Sequence, residues 1–224
     1  MLKRELLATA TIPGEKRALQ LFRRGDEYLI EIEGYGGLMS SAAHGSEEEL
    51  ASLSAERIGP RPKARVLIGG LGMGFTLAAA QKCFPQDATL VVAELVPELE
   101  EWNKGPMGVS AGHPLLDPRT EVHVGDVADL LRQGNSSYDA ILLDVDNGPE
   151  GLTKAGNSWL YTAPGLRAAH RALRPMGVLA VWSAGPDRHF TNRLIKAGYR
   201  VDERQVRTHG RKGWRQVVWL AQRR

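Results

Sequence analysis

Short apolar runs rich in β-branched residues recur along this chain and alternate with stretches of helical periodicity. From residue 64 onward, each such run is typical of a buried strand, and the stretch after it is typical of a helix. Strands alternating with helices predict a doubly wound, mostly parallel α/β sheet. The predicted strands are 66–68, 88–93, 120–124, 138–143, 178–182, 199–206 and 215–220, and the predicted helices are 75–82, 97–102, 127–132, 163–173 and 187–198.

The first 57 residues have a different pattern, with short β-rich segments and no strand–helix alternation. The segments 19–22 and 28–32 are predicted strands joined by a hairpin turn. Ser46 and Glu49 have the spacing of a capping box, which predicts a helix that begins at Ser46 and runs to about residue 57. We therefore predict a small N-terminal β segment with a linking helix over residues 1–57, and one main domain over residues 58–224.

The composition is that of a globular protein with one sizeable core. The chain has 224 residues, of which 42% are hydrophobic and 25% charged. No apolar run approaches the ~20 residues that span a bilayer, and the first residues lack the apolar core of a signal peptide. Cys83 is the only cysteine, and we expect it to pack inward from its helix. These features predict a cytoplasmic protein with no membrane partner.

Basic residues crowd the C-terminus, although the net charge of the chain is only +3. A solvated hairpin is the favoured interpretation of this cluster, ahead of an anionic partner such as RNA. The histidines have no metal-ligand spacing, so we predict no metal. The basic residues are Arg200, Arg204, Arg207, Arg211, Lys212, Arg215, Arg223 and Arg224.

A glycine-rich segment follows the first strand of the main domain. Gly69, Gly70, Gly72 and Gly74 separate that strand from the helix at 75–82. Glycine permits a positive φ and lets a ligand approach bare backbone, while the start of a helix offers free N–H groups. Strand, glycine turn and helix therefore predict a nucleotide-binding site, with a turn that binds nothing as the alternative.

Acidic residues stand at the ends of the following strands. Glu94 comes about 20 residues after the glycines, where folds of this class bind a ribose. Asp126 and Asp144 follow the next two strands. Because the carboxyl ends of parallel strands meet at one edge of a sheet, these groups predict a cleft for a neutral or cationic ligand with ribose and amine groups. For Glu94, the alternative is a cap on the next helix.

These segments together resemble the spermidine synthase family, which has the class I S-adenosylmethionine-dependent methyltransferase fold, a Rossmann-like fold. The resemblance covers about residues 58–198, and the N-terminal β segment resembles the small β domain of the family in shortened form. The Asp-Pro-Arg at 117–119 is a more specific element of this resemblance than the glycine motif, which most of the superfamily shares. The matching segments are 69–74, Glu94, 117–119, 125–126, 138–144 and 148–149.

The resemblance implies roles for individual residues. Glu94 would bind the ribose hydroxyls, and Asp126 would accept a hydrogen bond from the adenine amino group, with Val127 packing beside it. Asp144 would be the catalytic aspartate that orients the attacking amine and accepts its proton. The residues implied in cofactor binding are Gly69, Gly70, Gly72, Gly74, Glu94, Asp126 and Val127.

The chain also departs from the family pattern on the acceptor side. Gly72 stands where the family carries an aspartate that anchors the amino group of decarboxylated S-adenosylmethionine. Asn147 replaces the second aspartate after the fourth strand, and Asp146 is displaced by one position. Residues 43–47 read Ala-His-Gly-Ser-Glu where the family has Tyr-His-Glu. The nucleoside half of the site is thus retained, and the polyamine half is altered.

The leading hypothesis is a transferase that uses S-adenosylmethionine to methylate an amine or another small acceptor. Asp144 and Asp146 are its predicted catalytic residues, although Asp146 is equally well interpreted as a loop acid bonded to its own backbone. Trp159 and Tyr161 are candidate walls of the acceptor pocket, with core packing as the alternative. The glycines and length of the loop at 148–157 are compatible with a lid.

Three other functions stay open. The first is aminopropyl transfer from decarboxylated S-adenosylmethionine to putrescine or a related amine, as in polyamine synthesis. The second is a non-catalytic nucleoside-binding protein. An NAD-linked dehydrogenase is a weaker alternative, because no residue is evident for hydride chemistry. The family often dimerises, which makes a homodimer a candidate assembly, but the sequence fixes neither the oligomeric state nor the acceptor.

Overall fold

The structure is a computed structural model that describes residues 3–144, 157–209 and 212–224; the side chains of residues 157 and 207–215 lie outside the description. Several predictions therefore concern residues that are not described. These are the catalytic role of Asp146, the departure at Asn147, most of the candidate lid at 148–157, and the basic side chains of Arg207, Arg211, Lys212 and Arg215.

The described helices and strands follow the predicted alternation. The strands are β1 (Arg4–Thr11), β2 (Ala18–Arg24), β3 (Glu27–Ile32), β4 (Gly36–Ser40), β5 (Arg65–Gly69), β6 (Thr89–Glu94), β7 (Thr120–Val124), β8 (Tyr138–Leu143), β9 (Leu173–Ser183), β10 (Tyr199–His209) and β11 (Lys212–Arg223). The helices are α1 (Gly45–Ile58), α2 (Phe75–Cys83), α3 (Pro97–Lys104), α4 (Val127–Gln133), α5 (Ala163–Ala172) and α6 (Arg188–Lys196), with short 3₁₀ segments at Pro106–Ala111, Pro114–Leu116 and Asn157–Tyr161.

In the described part of the chain, seven strands form the main sheet in the order β10-β11-β9-β8-β5-β6-β7. The five strands from β9 to β7 in that order run parallel, and β11 and β10 add an antiparallel hairpin. The predicted doubly wound, Rossmann-like sheet is confirmed. The chain moves outward from β5 through β6 to β7, then crosses to β8 on the other side of β5. Ligands bind at such a reversal, outside the carboxyl ends of the strands.

Both faces of the main sheet are covered. In β5, the side chain of Leu67 packs into the core on one face, and those of Val66 and Ile68 pack into the core on the other. All three are fully buried, as expected for a central parallel strand with helices on both sides. Helix α1 contributes Leu50 and Ala51 to the second of these cores.

The N-terminal strands form a separate antiparallel sheet in the order β1-β2-β3-β4. Its inner residues, such as Leu21 and Ile30, form a third core with Phe75, Leu99 and Trp102. These three residues belong to α2 and α3, which begin at the carboxyl edge of the main sheet. The small sheet is therefore packed over the edge where the predicted site lies.

Two local predictions are wrong. Helix α1 begins at Gly45 with His44 as its N-cap and has no side-chain capping bond, and the Ser46 hydroxyl donates to the Glu47 carboxylate at 2.6 Å instead of capping. Ser46 lies inside the first turn, so it is not at the capping position. Cys83 is exposed rather than packed inward, because the buried stretch of α2 ends at Ala80.

The last part of the main sheet is longer than predicted. Strand β9 begins at Leu173 rather than near 178, with an irregular register and a positive φ at Met176 of 62°. The terminal hairpin is confirmed and extends to Arg223, which is paired with Tyr199. Among the described helices, none is both long enough and apolar enough to cross a membrane.

Candidate active site

A cavity of about 310 Å³ lies between the small sheet and the carboxyl edge of the main sheet. We call it the first cavity. The main sheet contributes the ends of β5, β6 and β8 and the turn after β7, and the small sheet contributes the β1–β2 loop and β4. Its lining includes residues 12–15, Leu38, Met39, Gly70, Gly72, residues 93–96, Leu99, residues 125–127 and Asp144.

The four predicted glycines divide into two pairs. Gly70 and Gly72 line the first cavity with φ values of +93° and +50°, in the left-handed region that glycine adopts without strain. Gly69 and Gly74 are not among the lining residues. A Cβ on Gly69 would meet Leu143 at 3.1 Å, and one on Gly74 would meet Pro114 at 2.8 Å. These two glycines therefore serve the close packing of the turn rather than the surface of the cavity.

The side chain of Asn103 stabilises the glycine-rich turn after β5. The side chain is fully buried, and its amide Nδ2 donates to the carbonyl oxygens of Gly72 and Leu99, both at 2.8 Å. Nothing in the sequence pointed to this residue, because an asparagine in a polar helix is usually solvated. Its role depends on α3 packing against the turn, which only the tertiary structure shows.

Glu94 reaches the first cavity with its carboxylate already positioned. It is only 6% exposed, and its two oxygens accept backbone N–H bonds from Leu71 and Val96, both at 2.8 Å. Burial raises the pKa of Glu94, and these N–H donors oppose that shift. Val96 precedes α3, which has no side-chain capping bond, so the structure does not support the alternative in which Glu94 caps this helix. The carboxylate also lines the cavity, where it can accept from a ligand hydroxyl.

Asp126 and Val127, which follow β7, also line the first cavity. Asp126 is the N-cap of α4, and its Oδ1 accepts from the Ala128 N–H at 2.8 Å. Val127 is buried and packs within 3.2 Å of the position where a Gly69 Cβ would be. The predicted cofactor residues Gly70, Gly72, Glu94, Asp126 and Val127 thus line one cavity.

A second, smaller cavity of about 80 Å³ adjoins the first. Its described lining is mixed, with Met73, Phe75 and Trp182 among the apolar residues and with Glu47 and Asp144 as acidic residues. Burial raises the pKa of Glu47, and the hydrogen bond from Ser46 opposes that shift. The sequence comparison noted the segment 43–47 as altered, but it did not identify Glu47 as a site residue.

Asp144 lines both cavities. Its backbone N–H donates to the carbonyl of Gly69 at 3.0 Å, which continues the ladder beyond β8. Its Oδ2 accepts from the hydroxyl of Thr76 at 2.6 Å. The position and orientation of this carboxylate are therefore set by β5 and by the first turn of α2.

The charged residues of both cavities are acidic. Glu15, Glu94, Asp126 and Asp144 line the first cavity, and Glu47 adds a fifth carboxyl group in the second. No lysine or arginine is found among the described lining residues of either cavity. Such a lining favours a cationic ligand over an anionic one, because the carboxylates have no competing cation beside them.

Trp159 and Tyr161, the candidate walls of the acceptor pocket, do not line either cavity. Trp159 stacks against Arg132 at 4.2 Å and Tyr161 packs against Phe190, so both belong to the core on one face of the sheet and not to the described lining of either cavity. Within the described ranges, no group of three or more His, Cys, Asp or Glu side chains is arranged to hold a metal ion.

The sequence analysis did not predict that the β1–β2 loop contributes to the site. Residues 12–15 of this loop line the first cavity, but their sequence resembles an ordinary hairpin turn.

Comparison with known proteins gives matches to solved structures only. A scan against protein-family models finds no match, and a search of curated proteins finds none. A spermidine synthase crystallised with the transition-state analogue AdoDATO is 17% identical and superposes with a TM-score of 0.75, over 98% of this chain and 73% of that one. The spermidine synthase from Thermotoga maritima is 17% identical, with a TM-score of 0.76 over 98% of this chain and 74% of that one. The resemblance seen in the sequence is confirmed at the level of the fold: this chain has the fold of the spermidine synthases.

Proposed function

We propose that the protein is a transferase whose donor is a sulfonium nucleoside of the S-adenosylmethionine type. We further propose that it transfers an aminopropyl group from the decarboxylated donor to a small amine. The second statement replaces methyl transfer, the leading hypothesis from the sequence, as the favoured activity. The fold shared with spermidine synthases supports it, and so does the charge of the two cavities.

The acidic lining is the observation that carries the proposal. Decarboxylated S-adenosylmethionine has two positive groups, a sulfonium and a primary ammonium, whereas the intact molecule has an additional carboxylate. With Glu15, Glu94, Asp126 and Asp144 around the first cavity, and no described lysine or arginine in its lining, a donor carboxylate would lack a cationic partner. The donor with two positive groups fits this lining better.

The residues of the first cavity suit the nucleoside part of such a donor. Glu94 offers two oxygens, fixed by backbone N–H groups, to a pair of ribose hydroxyls. Asp126 can accept from an exocyclic amino group while Val127 packs against the flat face of a base. Gly70 and Gly72 leave bare backbone beside the chain that leaves the ribose.

Asp144 is the proposed catalytic residue. A bound sulfonium makes its attached carbons electrophilic, so the protein has to position a deprotonated amine in line with the carbon–sulfur bond. Asp144 accepts the amine proton while the nitrogen–carbon bond forms and the carbon–sulfur bond breaks, which leaves a neutral thioether. Thr76 donates to Oδ2 of Asp144 and thereby holds the carboxylate between the two cavities.

Glu47 is the proposed partner of a second positive group on the acceptor. It lines the second cavity with Asp144, and Phe75 and Trp182 are apolar residues of the same lining. A short aliphatic chain with an amine at each end matches a slot of this kind. One amine would face Asp144 and the other would face Glu47.

Methyl transfer is the second candidate, and Gly72 is the observation that favours it. The turn presents no carboxylate at position 72 to hold the ammonium of a decarboxylated donor. Intact S-adenosylmethionine would then bind through its nucleoside part and through backbone groups of the turn. Asp144 would orient the acceptor in the same way.

Calorimetric titration with both donors tests the proposal. We expect the decarboxylated donor to bind at least about tenfold more tightly than intact S-adenosylmethionine, a difference of ~1.4 kcal/mol. Transfer to a short diamine should then be detected by mass spectrometry of the product. Tighter binding of the intact donor, with methylated product, would instead establish the second candidate. If neither donor binds, both proposals are wrong.

A further inference from the structure

We infer that Met39 is a specificity-determining residue, which narrows the passage between the two cavities and excludes a donor chain that carries a carboxylate. This inference rests on the proposed function and goes beyond it, because it assigns donor choice to a residue of the small sheet. Met39 lines both cavities, and so do Leu38, Gly72 and Asp144. A donor chain that extends from the first cavity into the second therefore runs beside the Met39 side chain.

The contact between Met39 and Gly72 gives the steric basis. A Cβ built on Gly72 would lie 3.0 Å from Sδ and 3.3 Å from Cε of Met39, both closer than ordinary van der Waals contact. The thioether therefore fills the space that a side chain at position 72 would use. The passage is bounded here by an apolar sulfur on one side and bare backbone on the other.

Both sides of the passage are held in place. Met39 belongs to β4 and is paired with Ile30 of β3, which is fully buried in the core under the small sheet. On the other side, the buried Asn103 amide holds the Gly72 carbonyl. Because neither backbone can retreat easily, the size of the Met39 side chain sets the width of the passage.

The first experiment measures the dissociation constants of the two donors for the wild type and for Met39→Ala. 5′-Methylthioadenosine, which has the nucleoside and a methyl thioether only, serves as a third ligand that does not reach the passage. We expect Met39→Ala to reduce the preference for the decarboxylated donor at least about fivefold, with 5′-methylthioadenosine binding changed less than about twofold. Met176→Ala, at an exposed methionine away from both cavities, is the matched control and should keep the wild-type preference.

A double-mutant cycle tests the contact itself. Gly72→Ala introduces strain at a φ of +50° in any background, but its clash with the thioether exists only when Met39 is present. We expect Gly72→Ala to weaken binding of the decarboxylated donor at least about threefold more in the wild-type background than in Met39→Ala. Thermal unfolding of the four proteins identifies any variant that has lost its fold.

The outcomes separate the two proposals. If the wild type binds the donors but Met39→Ala leaves their ratio unchanged, the inference about Met39 is wrong and the proposed function stands. An additive cycle would likewise overturn the steric role of Met39. If the wild type binds neither donor, the proposed function is wrong, and the inference about Met39 falls with it.

Discussion

Two carboxylates that line only the first cavity are held by backbone N–H groups, whereas the two that line the second cavity accept from hydroxyl side chains. Glu94 accepts from the N–H groups of Leu71 and Val96, and Asp126 accepts from that of Ala128. Glu47 and Asp144 accept from the hydroxyls of Ser46 and Thr76. The positions of backbone N–H donors are set by the path of the chain and do not depend on which side chains are present. Hydroxyl donors depend on two individual residues, so the second cavity can change while the fold is kept.

This difference also predicts how the two kinds of carboxylate respond to substitution. A carboxylate held by backbone N–H groups cannot be altered without leaving buried donors unsatisfied, so changes there should affect both binding and stability. A carboxylate held by a hydroxyl can be altered with little effect on the fold, so changes there should affect turnover or acceptor binding alone. Four substitutions test this contrast, and the expected effects decrease in the order given.

Asp144→Asn should give the largest effect. We expect kcat to fall by about 10³, because the amide cannot accept the amine proton, while the dissociation constant of the donor changes less than about fivefold. Steady-state kinetics and calorimetry on the same preparation check both values. An unchanged rate would remove Asp144 from the mechanism, and the absence of any turnover in the wild type would favour a nucleoside-binding protein.

Glu94→Gln should weaken donor binding about 100-fold and also lower stability. The amide NH₂ would face the N–H of Leu71 or Val96, which leaves a buried donor unsatisfied at a cost of ~1–3 kcal/mol. Calorimetry measures the first effect and urea unfolding the second. Glu101→Gln is the matched control, since Glu101 is exposed on the nearby helix α3. Donor binding equal to that of the control would contradict the ribose role.

Thr76→Val should lower kcat about tenfold with little change in donor binding or in unfolding temperature. The substitution keeps the volume of this buried side chain but removes the hydroxyl that donates to Asp144. Thr76→Ser, which restores a hydroxyl, should recover most of the rate. If the serine variant is as slow as the valine variant, packing rather than the hydrogen bond explains the effect.

Glu47→Gln should give the smallest effect, a rise of about threefold to fivefold in the acceptor KM near neutral pH. Its pH dependence is more specific. Burial raises the pKa of Glu47 above the ordinary value of 4.5, so as pH falls the carboxylate becomes neutral earlier than an exposed glutamate would. The wild-type KM should therefore increase as pH falls through this raised pKa, and the KM of Glu47→Gln should lack that increase. Parallel profiles for the two proteins would exclude Glu47 from acceptor binding.

Much of the fold and part of the site could be predicted from the order of residues. The apolar runs located β5, β6 and β8 to within one residue, because strands buried on both faces are mostly apolar, and β7, which is partly exposed, was located by its alternating sequence Thr-Glu-Val-His-Val. The prediction of a cleft at this edge followed from the same strands, since Glu94 and Asp126 stand at or just after strand ends. The capping box at Ser46 failed for the opposite reason: a four-residue pattern near a helix start does not decide which residue is the N-cap.

The sequence by itself determined the doubly wound sheet, the edge where the first cavity lies and three of the acids that line it, Glu94, Asp126 and Asp144. These follow from local periodicity and from the rule that parallel strands end together. Only the tertiary structure decided that the small sheet covers this edge, that Met39 fills the space beside Gly72, and that Glu47 joins Asp144. Each of these arrangements brings together residues from separate segments, 33 positions apart for Met39 and Gly72 and 97 for Glu47 and Asp144. A local sequence pattern does not predict that residues so far apart in the chain come together, because this depends on how the small sheet and helix α1 pack against the main sheet.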